Sequence, residues 1–350
     1  MKRILKVIMI TFMVIVTLTN CSKKLSYMVF AQAKPIKAAV FLLDFTDDFI
    51  SLIGKNLEDI QKENPDKVVY TFYDGKSNQD IQNKQIDKVL EEGTDLILLN
   101  IVNRGESQAV INKIKETNIP VILFNREPLT PTPIQSYNKA LYIGTDSEQI
   151  GMLQGKMIVD VWDTSKKYID KNNDGIMQYI MLEGESDNQE AILRTKYSVS
   201  TIEGAGIKTD QLALRVCDWL EDLAYEAMKS LFLKYGTQIE VIIANDDTMA
   251  IGAIKALQEY GYNKGDKSQT IPIVGVDVTP EAKELIEKGE MLGSVYQSGR
   301  AYAEALYACG MNLVAGKNPV EGTKYKLDDT GVRIYLPETD YLYKNIFLSR

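Results

Sequence analysis

The chain has 350 residues, of which 45% are hydrophobic and 25% are charged, so it is long enough for two globular domains with sizeable cores. Its formal net charge of −8 argues against a nucleic-acid partner, because phosphate binding needs a basic surface. It contains no histidine, which excludes Ser-His-Asp and Cys-His catalysis and every histidine-based metal site. Three cysteines are too few for a disulfide framework.

The first 20 residues have the layout of a secretory signal, with a basic start and an apolar run over residues 4–18. This run is shorter than the roughly 20 residues of a membrane span. Residues 18–22 are similar to a bacterial lipobox, with Cys21 as the lipid-bearing mature N-terminus, although Asn20 departs from the usual Gly, Ala or Ser. Cleavage after Ala33 and an uncleaved anchor helix remain alternatives. We expect an extracytoplasmic protein attached to the membrane through Cys21, with residues 21–35 as a tether.

From residue 36 onward, apolar runs that fit buried strands alternate with stretches of helical periodicity. Predicted strands lie at residues 36–43, 68–72, 95–99, 120–124, 141–143, 178–182, near 212, 239–244, 273–276 and 292–295. Predicted helices lie between them, the last over residues 301–315. This alternation predicts an α/β protein with doubly wound parallel sheets in two lobes. Such sheets bind ligands at the carboxyl ends of their strands.

Oxygen-bearing side chains recur at every second position in residues 170–178, in the pattern of a calcium-binding loop. The predicted ligands are Asp170, Asn172, Asp174, the backbone carbonyl of Ile176, and Gln178. The twelfth position, which holds a bidentate Glu in an EF-hand, is Met181 in an apolar run. The closing carboxylate must therefore come from elsewhere in the fold. The alternative is a hydrophilic turn without a metal.

Mostly short polar side chains and two aromatic residues follow the ends of the predicted strands. They are Asp47, Phe49, Asn100, Glu190, Arg194, Trp219, Asp246, Asp277 and Gln297. Carboxylates, amides and Arg match sugar hydroxyls, and flat aromatic rings match the C–H faces of a pyranose. Each residue also has an ordinary structural role open to it: the Asp residues as helix N-caps, the aromatic residues as core, and Glu190 with Arg194 as a surface pair.

Several motifs resemble the bacterial galactose/glucose-binding proteins, which are extracytoplasmic receptors of sugar ABC importers and of chemotaxis. The motifs lie at residues 47–49, 124–128, 144–147, 170–178, 239–247 and 275–277. The resemblance covers residues 36–347 and implies the type I periplasmic-binding-protein fold. It also implies that Glu240 completes a structural calcium site.

The resemblance carries the sugar site onto particular residues. Asp47, Asn100, Arg194 and Asp277 match polar ligands of the family, and Phe49 and Trp219 match the two rings that sandwich the sugar. Four positions depart from the family: Asn188 stands for His, Glu190 for Asp, Asp246 for Asn, and Gln297 for Asn. The sugar class is therefore expected, whereas the identity of the sugar is left open. The excess of carboxylates opposes an anionic ligand.

The resemblance also implies three crossings between the lobes, near residues 118–120, 297–299 and 333–336. The N-terminal lobe is expected to contain residues 36–118 and 298–333, and the C-terminal lobe residues 119–297 and 334–350. We expect the lobes to close around a neutral galactose- or glucose-like monosaccharide and to deliver it, as a monomer, to a membrane permease. The alternatives are a sensor for a histidine kinase or chemoreceptor, and a receptor for another neutral sugar such as a pentose.

Two other classes of protein are less consistent with the sequence. A glycosidase would need two carboxylates with separate roles, for which Asp47 and Asp277 are candidates, but Arg194 is expected to keep them ionised. A cytosolic repressor is opposed by the secretory signal, the acidic charge and the lack of a DNA-binding segment before the core. We therefore predict a binding protein and not an enzyme.

Overall fold

The computed structural model describes residues 34–338, 341–343 and 347, so the predicted signal segment and Cys21 lie outside the described residues. The described strands are β1 (Ile36–Leu42), β2 (Val68–Asp74), β3 (Leu96–Leu99), β4 (Val121–Phe124), β5 (Ala140–Thr145), β6 (Ile176–Glu183), β7 (Lys208–Val216), β8 (Val241–Ala244), β9 (Ile273–Asp277), β10 (Gly293–Tyr296), β11 (Arg333–Leu336) and β12 (Tyr341–Tyr343). The described α-helices are α1 (Asp48–Glu63), α2 (Gln79–Glu92), α3 (Ser107–Glu116), α4 (Thr132–Gln135), α5 (Ser147–Ile169), α6 (Gln189–Gly204), α7 (Glu221–Tyr235), α8 (Asp247–Glu259), α9 (Pro280–Lys288) and α10 (Gly299–Val314).

The strands form two six-stranded sheets of matching topology. The first has the order β11-β5-β4-β3-β1-β2 and the second the order β12-β10-β9-β8-β6-β7. Strand pairing is parallel throughout, except that β12 runs antiparallel to β10. Each sheet carries apolar clusters on both faces, which explains why its central strands are continuous apolar runs. The predicted α/β class with two doubly wound lobes is confirmed.

The sheet order corrects two of the three predicted crossings. Because β4 and β5 belong to the first sheet, the chain first crosses after Thr145 and not near residues 118–120. The second crossing, between Tyr296 and Gly299, agrees with the prediction, since α10 packs against α1 of the first lobe. The third crossing follows Leu336, because β11 still pairs with β5. The predicted boundaries failed because an apolar strand does not reveal which of two sheets it joins.

Helix capping and one close helix pair position the cleft. Asp47, Asp146 and Asp246 cap α1, α5 and α8, and each accepts a hydrogen bond from a backbone N–H in the first turn. In α5, a Cβ atom on Gly155 would lie 2.5 Å from the carbonyl oxygen of Ser198 in α6. The glycine therefore allows these two helices of the second lobe to pack closely. Of the described helices, none is long and apolar enough to cross a membrane.

Candidate functional site

A cavity lies between the two lobes, within an empty space of about 520 Å³ that is partly open to solvent. Its lining residues are Leu43, Asp47, Phe49, Ile50, Asn125, Arg126, Asn188, Glu190, Arg194, Trp219, Asp246, Thr248, Asp277 and Gln297. Nine of the ten predicted sugar-site residues are in this set, and Asn100 is the exception.

The first lobe contributes Asp47 and Phe49 from the start of α1. Asp47 Oδ1 accepts a hydrogen bond from the backbone N–H of Ile50 at 2.8 Å, so this carboxylate both caps the helix and lines the cavity. Phe49 packs edge-to-face against Tyr302 of α10, with the ring centroids 5.8 Å apart. The structural roles considered from the sequence are therefore real, and they fix these side chains at the cavity.

Trp219 forms the opposing aromatic wall, in the second lobe. Its backbone has φ +65°, a conformation that non-glycine residues seldom adopt and that is common at functional sites. The indole lies against Gly184, where a Cβ atom would come within 2.2 Å of the ring. The guanidinium of Arg194 lies 5.7 Å from the ring centroid. Phe49 and Trp219 thus line one cavity, and their stacking on a ligand stays a prediction.

Helix α6 supplies three predicted residues from its first two turns. Asn188 caps the helix by accepting from the N–H of Glu190, and it donates to Glu185 Oε2 at 3.0 Å. Arg194 donates to the carbonyl oxygen of Asn245 and pairs with Glu190 at 3.6 Å. Both members of this pair are buried, so it is not the surface pair considered from the sequence. Glu190 Oε1 is buried and has no hydrogen-bond partner among the described residues.

Three further polar side chains converge from the carboxyl ends of β8, β9 and β10. Asp246 Oδ1 accepts from the N–H of Met249 at 2.8 Å, and Asp277 Oδ1 accepts from Gln297 Nε2 at 2.6 Å. Gln297 also accepts a hydrogen bond from Thr145, which links the first two crossings between the lobes. The backbone of Asp277 has φ +113°. The strand-end rule therefore placed these residues correctly.

Asn100 is close to the cavity but does not line it. Its side chain accepts from the N–H of Leu43 and donates to Phe124 O and Asn125 Oδ1, and it is fully buried. With its amide used by the protein, Asn100 joins the ends of β1 and β4. The prediction that it contacts the sugar directly is not supported by this geometry.

Five lining residues were absent from the predicted site: Leu43, Ile50, Asn125, Arg126 and Thr248. Asn125 and Arg126 directly follow β4, so the strand-end rule identifies them once β4 is placed in the first sheet. Arg126 makes a bidentate ion pair with Glu185 of the second lobe, in which both N–O distances are 3.0 Å. A second ion pair, Arg104 with Asp187 at 2.9 Å, also joins the lobes.

Burial raises the pKa of the cavity carboxyl groups. Desolvation is the largest cause for Asp47, Glu190, Asp246 and Asp277. The nearby charge of Arg194 lowers the pKa of Asp277 and of Glu190, but burial outweighs it. Arg194 therefore offsets the effect of burial on these two groups only in part, and its charge alone is not an argument against an enzyme.

The calcium-like loop folds into a compact turn between α5 and β6. Asn173 and Gly175 have φ of +57° and +75°, and Gly175 donates to Asp170 Oδ2. Glu240 accepts from the N–H groups of Lys171 and Gln178, so the predicted closing carboxylate does lie at the loop. Asp170 Oδ1 is buried without a hydrogen-bond partner among the described residues. Burial, followed by repulsion from Asp170 and Asp174, raises the pKa of Glu240 to about 7.

These features fit a cation, because an orphaned buried oxygen and mutually repelling carboxylates are both stabilised by positive charge. Among the described residues, no group of three or more His, Cys, Asp or Glu side chains is arranged to hold a metal. The candidate set is accordingly mixed, with amide and backbone oxygens beside the carboxylates, which is typical of hard cations such as Ca²⁺.

Comparison with known proteins identifies the family. Residues 38–318 match the family model described as periplasmic binding protein domain. The D-galactose/methyl-galactoside binding periplasmic protein MglB of Haemophilus influenzae is 35% identical over 299 residues, which are 85% of this chain and 87% of that protein. A Mycobacterium smegmatis structure in complex with β-D-fucofuranose has a TM-score of 0.72 at 22% identity, covering 88% of this chain and 91% of that chain.

An ABC transporter solute-binding protein from Bacillus halodurans C-125 with bound myo-inositol has a TM-score of 0.71 at 19% identity and covers 89% of this chain and 95% of that chain. At such identities the structural matches establish the fold alone. The family match also confirms the prediction that the chain is a binding protein and not an enzyme. On these grounds the chain belongs to the periplasmic binding protein family, with the type I fold.

Proposed function

We propose that the protein is an extracytoplasmic receptor for a galactose- or glucose-like monosaccharide and delivers it to the permease of an ABC importer. The observation that carries the proposal is one cavity between the lobes, lined by Phe49, Trp219 and hydrogen-bonding side chains from both lobes. Stacking by aromatic rings and pairing by carboxylates and Arg are the contacts that a pyranose needs. The 35% identity to a galactose-binding relative supports the hexose.

Closure of the two lobes around the ligand is the proposed mechanism. The ligand would bind one lobe and then bridge to the other, which shifts the population towards the closed form. The ion pairs Arg126–Glu185 and Arg104–Asp187 join the lobes and so stabilise that form. The permease would recognise the closed shape. A membrane sensor that reads the same shape is the alternative partner.

Calcium is proposed as a structural ion in the second lobe. Asp170, Asn172, Asp174, the carbonyl of Ile176, Gln178 and Glu240 would hold it. The support is the orphaned Oδ1 of Asp170 and the raised pKa of Glu240. None of these residues lines the cavity between the lobes, so the ion would stabilise the loop rather than contact the sugar.

A lipid anchor at Cys21 is proposed to keep the receptor at the membrane surface. Its support is the lipobox-like segment at residues 18–22 and the extracytoplasmic location of the family. Metabolic labelling with a radioactive fatty acid tests it, with Cys21→Ala as the control. Labelling that persists in this variant contradicts the proposal.

A thermal-shift screen of the mature chain against neutral monosaccharides tests the ligand class. A ligand that binds only the folded state raises the melting temperature, by about 2.7 kcal/mol of added stability at a concentration 100 times Kd. We expect galactose, glucose or a close epimer to give the largest shift. If no monosaccharide changes the midpoint, the proposed function is wrong.

A further inference from the structure

The cavity between the lobes carries more negative than positive side chains. Four carboxylates line it: Asp47, Glu190, Asp246 and Asp277. Two guanidinium groups line the cavity, and the charge of Arg126 is already offset by its bidentate ion pair with Glu185. Only Arg194 remains to offset four carboxylates. When all four carboxylates are ionised, the site has a net charge of −3 after Arg194 is counted.

Protein hydrogen bonds leave part of these carboxylates unsatisfied. Asp246 and Asp277 each use Oδ1 in a hydrogen bond to the protein, and neither Oδ2 has a partner among the described residues. Glu190 is only 8% exposed, and its Oε1 is buried without a hydrogen-bond partner in that part of the chain. An unpartnered, buried carboxylate oxygen beside a cavity is stabilised by a hydrogen-bond donor, which a ligand in the cavity can supply.

Asp47 and Asp246 stand on opposite lobes, each at the N-terminus of a helix that points towards the cleft. Both carboxylates line the same cavity, so their negative charges repel each other when both are ionised. Repulsion between them opposes closure of the lobes. A hydroxyl group placed between them supplies a hydrogen bond but no charge, whereas an ammonium group supplies three donors and one positive charge.

We propose that the cleft binds a monosaccharide in which a protonated amino group replaces one hydroxyl, with the ammonium between Asp246 and Asp47, and that it prefers this ligand to the parent sugar. The inference rests on the proposed monosaccharide site. A cation at this position both satisfies the free carboxylate oxygen of Asp246 and removes the repulsion across the closing cleft. It therefore adds to the closed form an interaction that a neutral sugar lacks.

Isothermal titration calorimetry at pH 7 with matched pairs of sugars tests the proposal. The probes are glucosamine, galactosamine, mannosamine and 6-amino-6-deoxyglucose, each beside its parent hexose. We expect at least one amino sugar to bind about tenfold more tightly than its parent, since hydrogen bonds to charged groups are stronger than neutral ones. The preference should weaken with added salt.

The variant Asp246→Asn assigns the effect to one residue. Asn keeps an oxygen that can cap Met249 but removes the charge, so the ratio of amino-sugar affinity to parent-hexose affinity should fall about tenfold. Asp266→Asn is the matched control: this exposed Asp also accepts a cap hydrogen bond, in the same lobe, and does not line the cavity. It should keep the preference.

Three results would overturn the inference. If the hexoses bind and every amino sugar binds no better than its parent, the amino-sugar proposal fails and the sugar receptor stands. If no probe binds, the proposed function fails with it. A preference that persists in a folded Asp246→Asn chain removes Asp246 from the recognition. Should that variant not fold, as judged by its thermal transition, Asp47→Asn removes the other carboxylate of the ammonium site and keeps an oxygen for the helix cap. It should reduce the preference, and an unchanged preference contradicts the proposal.

Discussion

Replacement of Trp219 by Ala should remove most of the affinity for sugar and leave the fold intact. The indole lines the cavity, faces the guanidinium of Arg194, and is only partly buried at the edge of the second core. Truncation of an aromatic residue at the centre of a binding site typically costs about 2–4 kcal/mol of binding free energy, which is roughly 30- to 1000-fold in Kd. The folded state should lose less, about 1–3 kcal/mol, because the ring is not enclosed by the core.

Calorimetry with the best monosaccharide of the thermal screen measures the affinity, and urea unfolding measures the stability. Leu220→Ala is a suitable control, since Leu220 is the next residue, is 54% exposed and does not line the cavity. Gly184→Ala should imitate the loss at Trp219, because its new Cβ atom would collide with the indole. An unchanged Kd in Trp219→Ala would refute the reasoning.

Three further predictions concern the lobe contacts, the calcium loop and the pH response. Glu185→Ala should weaken sugar binding by about 1.5–3 kcal/mol, because it leaves the buried guanidinium of Arg126 without its pair. Asp187→Asn, at an exposed carboxylate, should cost under about 1 kcal/mol of binding free energy. Equal losses of affinity in calorimetry would contradict this. A chelator should lower the melting temperature of the parent chain by several degrees but not that of Glu240→Gln. A melting temperature of the parent chain that the chelator does not change argues against a bound ion. Burial raises the pKa of Glu338 to about 8, so its contribution to stability should be lost as pH rises from about 4.5 through about 8. In thermal melts the melting temperature of Glu338→Gln should decline less over that range than the melting temperature of the parent chain. Identical pH profiles for the two chains would contradict this prediction.

The fold was predictable because it depends on local patterns. Continuous apolar runs such as residues 239–244 identify strands that are buried on both faces, and the spacing between them identifies parallel sheets. The assignment of strands to sheets was not predictable in the same way. Strand β4 is equally apolar in either lobe, and only its pairing with β3 and β5 places it in the first.

The site was largely predictable for a related reason, since the carboxyl ends of parallel strands meet at one edge of each sheet. This rule placed Asp246, Asp277 and Gln297 at the cavity. It could not show that the amide of Asn100 is consumed by backbone groups, because that depends on three strand ends in space. The bidentate ion pair between Arg126 and Glu185 depends on how the lobes pack against each other, which no local sequence pattern predicts.

Tryptophan fluorescence during a sugar titration tests the central claim most directly. The chain has two tryptophans, Trp162 in the core of the second lobe and Trp219 in the cavity, so in the Trp162→Phe chain the emission reports Trp219 alone. The account predicts a saturable change in emission whose midpoint equals the calorimetric Kd for the same monosaccharide. Calorimetric binding of the sugar without any change in the emission of Trp219 would contradict a site between the two lobes.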